Sequence, residues 1–138
     1  MGQPEVSVLL EVPFYDVDSM QVVWHGHYFK YFEMARHAMF RRAGIDLFRY
    51  HRETGYLFPV IKGSIKHSHP LRYGDKFWAK AVLVEARIKI VLDFELRLVD
   101  SGKLCAKGRG EQCAVKGPDL ELEMVIPEDI AQALWAVA

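Results

Sequence analysis

The chain has little cysteine, no net charge and no long apolar run. Only Cys105 and Cys113 are cysteines, and 18 basic residues balance 18 acidic ones. Two cysteines on one extended segment cannot meet, so we expect reduced, buried thiols and no disulfide framework. The balanced charge is not typical of a protein that binds nucleic acid or an anionic membrane.

The apolar residues that are present are sufficient for one small core. Hydrophobic residues make up 51% of the 138 positions, which predicts a single domain over residues 1–138. The first residues, MGQPEVSVLL, lack the positive charge and apolar run of a secretory signal, and no later stretch has the length of a membrane span. We therefore expect a cytoplasmic protein.

The hydrophobic pattern predicts one strand, one long helix and four further strands. Apolar residues alternate from Val6 to Val12, as in a half-buried strand, and recur every three or four positions from His27 to Ala43. Gly44 then ends the helix. The remaining predicted elements are a helical turn at 46–53, extended runs at 56–68, 76–87, 90–99 and 104–115, and a short helix after Pro127. This order indicates an α+β fold in which an antiparallel sheet covers the helix.

One carboxylate, Asp18, lies on a predicted turn just before the long helix, which begins near Gly26. A helix start carries partial positive charge and backbone N–H groups without intrahelical partners, so it can polarise a carbonyl lying beside an ionised aspartate. An acid and an oxyanion site are the minimum parts for cleaving an acyl group. The alternative is that Asp18 only closes an Asx turn.

The segment FYDVDSMQVVWHGHY, residues 14–28, resembles the signature of hotdog-fold acyl-CoA thioesterases, the group that includes hydroxybenzoyl-CoA thioesterase and the Tol-Pal-associated acyl-CoA thioesterases. SHPLRYGDKFWA and GRGEQCAVK resemble two of the family's core strands, so the resemblance spans nearly the whole chain. It implies a hotdog fold, an antiparallel five-stranded sheet wrapped around one long helix, and release of a free carboxylic acid from acyl-CoA or an acyl carrier protein. The chain departs from the family at Met20 and Gln21, where glycine is frequent.

The resemblance also implies roles for individual residues. Asp18 matches the family's catalytic carboxylate, and it either attacks the thioester carbonyl or deprotonates a water. His25 matches the position whose main-chain amide contacts the thioester oxygen. Trp24, Gly26 and Tyr28 belong to the same motif, and we expect them to contact substrate.

Two basic residues are candidates for the phosphates of coenzyme A. Arg87 and Lys89 lie at a predicted strand turn, although a solvated role is the simpler reading for each alone. No cofactor is expected, metal or redox, because coenzyme A is part of the substrate. Members of the family are homodimers or dimers of dimers with the active site at the subunit junction, and pairing would cover the sheet edge that a single copy exposes.

Two alternatives for the site remain open from the sequence. The pairs His25-Gly-His27 and His67-Ser-His69 have the spacing of metal ligands on strands, although the first pair falls at a helix start. Glu33 is a second candidate carboxylate, but with Arg36 it also forms the spacing of an exposed ion pair.

The reaction itself also has two alternatives. A hotdog dehydratase would act on a hydroxyacyl thioester, and its His-x-Phe-Pro-Gly signature is absent from the chain. A non-catalytic protein would bind acyl thioesters on the same fold without turnover.

Overall fold

The computed structural model describes residues 2–138, in which five long strands form one antiparallel sheet. The elements in chain order are β1 (Glu5–Glu11), α1 (His27–Arg42), α2 (Leu47–Thr54), β2 (Tyr56–Leu57), β3 (Val60–His67), β4 (Lys76–Ala86), β5 (Ile90–Leu98), β6 (Leu104–Gln112), β7 (Val115–Lys116), β8 (Glu121–Leu122) and α3 (Glu128–Trp135). The strand order of the main sheet is β1-β4-β5-β6-β3, and every neighbouring pair is antiparallel. A single turn of 3-10 helix, Phe14–Asp16, precedes α1.

Helix α1 packs against one face of this sheet, mainly against β4 and β1. Its buried residues recur at helical spacing, and the inward positions of β4 alternate with exposed ones, as a sheet with one solvated face requires. Phe32 of α1 stacks on Phe94 of β5 with ring centroids 4.8 Å apart. Two alanines of β4, Ala79 and Ala81, are fully buried and leave room for the helix. The predicted α+β arrangement, five strands around one helix, is confirmed.

The ends of α1 follow the predicted signals. Gly44 has a φ of +76°, a left-handed conformation that stops a helix at little cost when the residue is glycine. Arg41 and Arg42 lie in the last turn, where cations interact favourably with the helix dipole. The boundary predicted from the apolar spacing is therefore correct to within one residue.

The predicted extended run at 56–68 is interrupted. Pro59 has no N–H to donate to a ladder, and the run splits there into β2 and β3. Strand β2 pairs with β7, which pairs with β8, and these form a second sheet of three short strands that the sequence did not indicate. The prediction of one continuous strand over 56–68 was therefore wrong. Periodicity within a segment does not indicate which other strand that segment pairs with.

Both cysteines are buried and free, as predicted. Burial raises the pKa of the Cys105 thiol, which keeps it protonated and unreactive. Within residues 2–138, none of the helices combines the length and apolarity that a membrane span requires.

Candidate active site

The motif before α1 forms a small hairpin with Asp18 at its tip. The N–H of Asp18 donates to the carbonyl of Val22 at 2.9 Å, and the N–H of Trp24 donates to the carbonyl of Asp16 at 3.2 Å. Trp24 is the third residue before the first residue of the helix. The hairpin therefore connects Asp18 through two main-chain hydrogen bonds to the segment that enters α1.

The carboxylate of Asp18 is exposed and closes an Asx turn. One oxygen accepts the N–H of Met20 at 2.8 Å. No other hydrogen bond to this carboxylate is found among residues 2–138, so its second oxygen is available to a substrate or a water. Asp18 can therefore close the Asx turn with one carboxylate oxygen while the other oxygen remains available to a reactant.

Gln21 adopts the left-handed backbone that glycine usually supplies. Its φ is +65°, and its N–H donates to the carbonyl of Asp18 at 2.9 Å, as in three-residue hairpin connections whose last residue is left-handed. A residue with a Cβ pays roughly 1 to 2 kcal/mol for this conformation. The departure from glycine at this position is therefore accommodated as local backbone strain.

The start of α1 leaves two backbone amides unpaired. The N–H of His27 donates to Trp24 at 2.9 Å and that of Tyr28 to His25 at 3.2 Å. The N–H groups of His25 and Gly26 donate to no acceptor in the described part of the chain, and no side chain caps the helix. Two free donors at a helix N-terminus have the chemistry of an oxyanion or anion site.

The position of the Trp24 ring leaves no space for a side chain at Gly26. A Cβ built on Gly26 would lie 2.3 Å from the indole ring, well inside van der Waals contact. The indole also lies against His25 and His27, with ring centroids 5.3 and 5.4 Å apart, and remains half exposed. Trp24 therefore forms an aromatic surface beside the two free amides.

Tyr28 is buried, and its hydroxyl accepts the N–H of Leu71 at 3.2 Å. Burial raises the pKa of Tyr28, so the phenol stays protonated at neutral pH. The side chain has a clear packing role, and its expected contact with substrate stays a prediction.

The structure brings one histidine of each pair together at the helix start. The ring centroid of His67, at the end of β3, lies 6.5 Å from that of His25 and 4.5 Å from that of Tyr28. A search of residues 2–138 finds no group of three or more His, Cys, Asp or Glu side chains placed to hold a metal ion. His67 therefore packs against the rings of both Tyr28 and His25 at the helix start.

A buried carboxylate under the hairpin was missed by sequence reasoning. Asp16 is only 1% exposed, and its oxygens accept from the ammonium of Lys30 at 2.7 Å and from the hydroxyl of Tyr31 at 2.6 Å. Burial alone would raise the pKa of Asp16, but the hydrogen bonds from Lys30 and Tyr31 outweigh it and hold the pKa below its usual value. The only signal in the sequence was a second acid two residues before Asp18.

The sequence pattern of the Thioesterase-like superfamily matches residues 12–134 of the 138-residue chain. The chain belongs to this superfamily. The match includes the hairpin, all of α1 and all of the main sheet except β1. The protein is thus a thioesterase, a hydrolase acting on thioester bonds, as the motif predicted.

Individual relatives agree with this assignment. A protein from Aquifex aeolicus (strain VF5) with the name "Putative esterase" is 27% identical over 123 residues, covering 89% of this chain and 92% of that protein. A 1,4-dihydroxy-2-naphthoyl-CoA thioesterase from Synechocystis has a TM-score of 0.88 at 16% identity, covering 96% of this chain and 97% of that chain. An aspartate-to-asparagine mutant of 4-hydroxybenzoyl CoA thioesterase, complexed with 4-hydroxybenzoyl CoA, has a TM-score of 0.86 at 15% identity, covering 95% and 99%. These two structures confirm the hotdog fold.

The basic candidates of this thioesterase lie far from the hairpin within one chain. Arg87 and Lys89 form the turn between β4 and β5, at the sheet end where Val60 begins β3. His67, next to the helix start, is at the other end of β3, and seven residues of strand span roughly 23 Å. Lys89 is also paired with Glu111. One subunit therefore does not bring these cations to Asp18.

The second candidate carboxylate of the thioesterase, Glu33, pairs with Arg36. The predicted exposed pair is wrong for one partner, because Arg36 is buried with its guanidinium 5.4 Å from the ring centroid of Phe94. Burial lowers the pKa of Arg36, but a guanidinium remains charged at neutral pH. The Glu33 carboxylate is exposed and serves as the counter-charge of this buried cation.

Proposed function

We propose that this thioesterase hydrolyses its substrate with the Asp18 carboxylate and the main-chain amide of His25. The single observation that supports the proposal is the hairpin that joins an exposed carboxylate to a helix start with two unpaired amides. The thioester carbonyl carbon lies beside Asp18, and its oxygen accepts from the N–H of His25, with Gly26 as a second donor. The donors are part of the folded backbone, so no reorganisation is needed as charge develops on the oxygen.

Two routes lead from this geometry to the same products. In one, a carboxylate oxygen of Asp18 adds to the carbonyl, the C–S bond breaks, the thiolate takes a proton, and water hydrolyses the resulting anhydride. In the other, Asp18 takes a proton from water, the hydroxide adds, and the intermediate collapses with loss of the thiol. Both release a free carboxylic acid and a thiol. In both, the oxyanion of the intermediate accepts a hydrogen bond from the N–H of His25.

The substrate that fits the surroundings is an acyl-CoA with an aromatic or unsaturated acyl group. Trp24 presents an exposed indole face beside the amides, and Phe14 and Tyr15 are exposed on the adjacent turn. Aromatic groups offset-stack on such rings. The naphthoyl and hydroxybenzoyl groups in the names of two structural neighbours are of the same class. An acyl carrier protein is the alternative donor.

The expected assembly is a homodimer, or a homotetramer built from two dimers. Strand β3 is an edge strand whose residues are almost all exposed, including Val60 and Ile61. An edge strand of eight residues is a template for pairing with a second copy. We propose that Arg87 and Lys89 of one copy then bind the coenzyme A phosphates of a substrate held by another copy.

We also propose a cytoplasmic location. Two buried, free thiols are typical of a reducing compartment, and acyl-CoA is a cytoplasmic metabolite class.

The test is thiol release from acetyl-CoA, octanoyl-CoA and benzoyl-CoA. Asp18→Ala and Asp18→Asn should lower kcat by at least about 100-fold, the scale of a lost nucleophile or general base, while the far-UV circular dichroism is unchanged. Asp93→Asn, a carboxylate of an exposed ion pair on the outer sheet face, is the matched control and should keep wild-type activity.

Three results would contradict the proposal. Near-wild-type thiol release by Asp18→Asn would remove the carboxylate from the mechanism. Loss of water from a 3-hydroxyacyl-CoA without thiol release would favour a dehydratase. Saturable binding of all three thioesters without turnover by the wild-type protein would favour a non-catalytic binding role.

A further inference from the structure

Asp16 is the one carboxylate in the described chain that is almost completely buried. Its burial removes a charged group from water, which is unfavourable, and hydrogen bonds from other side chains offset this penalty. Its oxygens accept from Lys30 at 2.7 Å and from Tyr31 at 2.6 Å, both in the first two turns of α1. A buried ion pair is seldom a large source of stability, because the desolvation penalty offsets the attraction, and apolar replacements are often as stable. What such a pair provides is a defined geometry between the groups that it joins.

The position of Asp16 in the hairpin determines what that geometry controls. Asp16 ends the turn of 3-10 helix and lies two residues before Asp18, where the chain enters the hairpin. Its main-chain carbonyl accepts the N–H of Trp24, the residue immediately before His25, at 3.2 Å. Its side chain is held by the helix that starts two residues after His25. One residue therefore joins the acid, the proposed oxyanion donor and the helix.

We propose that Asp16 and Lys30 are positioning residues that fix the separation between the Asp18 carboxylate and the amide of His25. This inference rests on the proposed function of those two groups. Asp18 itself is exposed at a hairpin tip, and its carboxylate makes one hydrogen bond, to the N–H of Met20. Without the side-chain pair of Asp16 and Lys30, only the main-chain hydrogen bonds of the hairpin position the acid relative to the helix start. A misplacement of about 1 Å costs on the order of 100-fold in rate.

Lys30 is the member of the pair that can be changed with little risk to the fold. Its side chain is 44% exposed, and its ammonium also lies 5.9 Å from the ring centroid of Tyr15 and 5.4 Å from that of Tyr31. The imidazole of His27 is 3.8 Å from Asp16, so a second nitrogen base faces the same carboxylate. A neutral side chain of similar length at position 30 removes the ion pair and keeps the alkyl packing.

The experiment compares Lys30→Met with Lys30→Arg in hydrolysis of benzoyl-CoA. Lys30→Met should lower kcat by about 10-fold to 100-fold with KM within about twofold of wild type, and Lys30→Arg should recover most of kcat because the cation is restored. Arg41→Met removes an exposed cation from the last turn of the same helix and should have no effect. Melting temperatures and circular dichroism identify any unfolded variant.

Asp16→Asn provides the second arm. If the two side chains act as one unit, the double variant Asp16→Asn with Lys30→Met should lose no more kcat than the more damaging single variant, because the connection is already broken. Additive losses in the double variant would overturn the proposal. If Asp16→Asn does not fold, the comparison of Lys30→Met with Lys30→Arg decides alone.

The outcomes separate this inference from the function on which it rests. Wild-type kcat in Lys30→Met, with Asp18→Asn inactive, would overturn the positioning role and leave the proposed chemistry standing. A raised KM with unchanged kcat would also overturn it, since Lys30 would then bind the substrate directly. If the wild-type enzyme hydrolyses benzoyl-CoA and Asp18→Asn hydrolyses it equally well, the proposed mechanism and the positioning role fail together. If the wild-type enzyme releases no thiol from acetyl-CoA, octanoyl-CoA or benzoyl-CoA, both fail as well.

Discussion

At the residue scale, His25 offers two separable groups, a main-chain N–H and an imidazole. The imidazole is tilted by 50° against the ring of Trp24 and lies 6.5 Å from the ring of His67, whereas the N–H is unpaired among residues 2–138. If the N–H is the oxyanion donor, then the residue type at position 25 matters less than its ability to donate from the backbone.

We therefore expect His25→Ala to lose much less activity than Asp18→Ala, because alanine keeps the amide. His25→Pro removes the N–H and should cost roughly 3 kcal/mol of transition-state stabilisation, about 100-fold in kcat. Steady-state kinetics on benzoyl-CoA measure both. Circular dichroism and the oligomer size must first match wild type, since proline also restricts Trp24. A folded His25→Ala as inactive as Asp18→Ala would show that the imidazole takes part in the chemistry.

The buried Asp16 predicts a specific response to acid. Its pKa lies below the ordinary value of 3.8, because hydrogen bonds from Lys30 and Tyr31 outweigh the effect of burial. The stability that it contributes is therefore present above pH 3.8 and is lost as the pH falls through the lower, folded pKa. In Lys30→Met the effect of burial dominates, the pKa rises, and acid unfolding should begin at higher pH.

Acid titration followed by far-UV circular dichroism checks this response. Arg41→Met should unfold at the wild-type pH, because Arg41 does not contact Asp16. Superimposable titrations of Lys30→Met and wild type would show that the ion pair does not depress this pKa.

At the scale of elements, two glycines of β6 set the distance between α1 and the sheet. A Cβ on Gly108 would lie 2.4 Å from the ring of Phe32 and 2.6 Å from the backbone carbonyl of Ser64 in β3. A Cβ on Gly110 would meet the end of the flexible Arg36 side chain at 2.5 Å. The first contact involves backbone of the neighbouring strand, and the second involves a side chain that can move.

Gly108→Ala should therefore destabilise the protein by about 1 to 3 kcal/mol, the usual cost of overpacking, because β3 or the Phe32 ring must shift. Gly110→Ala is the matched control and should cost clearly less. Urea unfolding of the two variants measures the difference. Equal free energies of unfolding would mean that β3 moves away from β6 without penalty.

The element boundaries also show how far local patterns reach. The alternation in β1, β4 and β5 and the helical spacing in α1 are local signals, and they give these elements to within one or two residues. Strands β7 and β8 have only two residues each, and they are strands only because β2 lies beside them. Their formation depends on contacts between distant segments.

At the scale of the whole molecule, the sheet has two edges of different character. Strand β3 is exposed along nearly its whole length, whereas β1 at the opposite edge has Val6 buried and only part of its surface exposed. We expect the two copies of a dimer to join at β3, since the outer side of this eight-residue strand has no neighbouring strand within the chain and two of its exposed side chains, Val60 and Ile61, are aliphatic.

The double variant Val60→Lys with Ile61→Lys should shift the protein towards monomer in light scattering coupled to size exclusion. It should also lower activity, because the proposed site needs Arg87 and Lys89 from another copy. Leu9→Lys, which changes an exposed apolar residue on the other edge strand, should remain at least dimeric. A stable, fully active dimer in the β3 variant would place the subunit contact elsewhere.

The sequence by itself determined the local features of this protein. The turn before the helix follows from Asp18, which can bond its own backbone, the helix from apolar spacing and Gly44, and the strands from alternation. The family also followed from the sequence, because the motif around Asp18 and His25 is continuous in the chain.

Only the tertiary structure decided which distant side chains meet. Asp16 is buried because α1 folds back over the hairpin and brings Lys30 and Tyr31 to it. Arg36 is buried because β6 has glycine beneath it, at Gly110. Such contacts depend on how helices and strands pack. The sequence pattern within one segment does not indicate which residues of other segments will lie next to it.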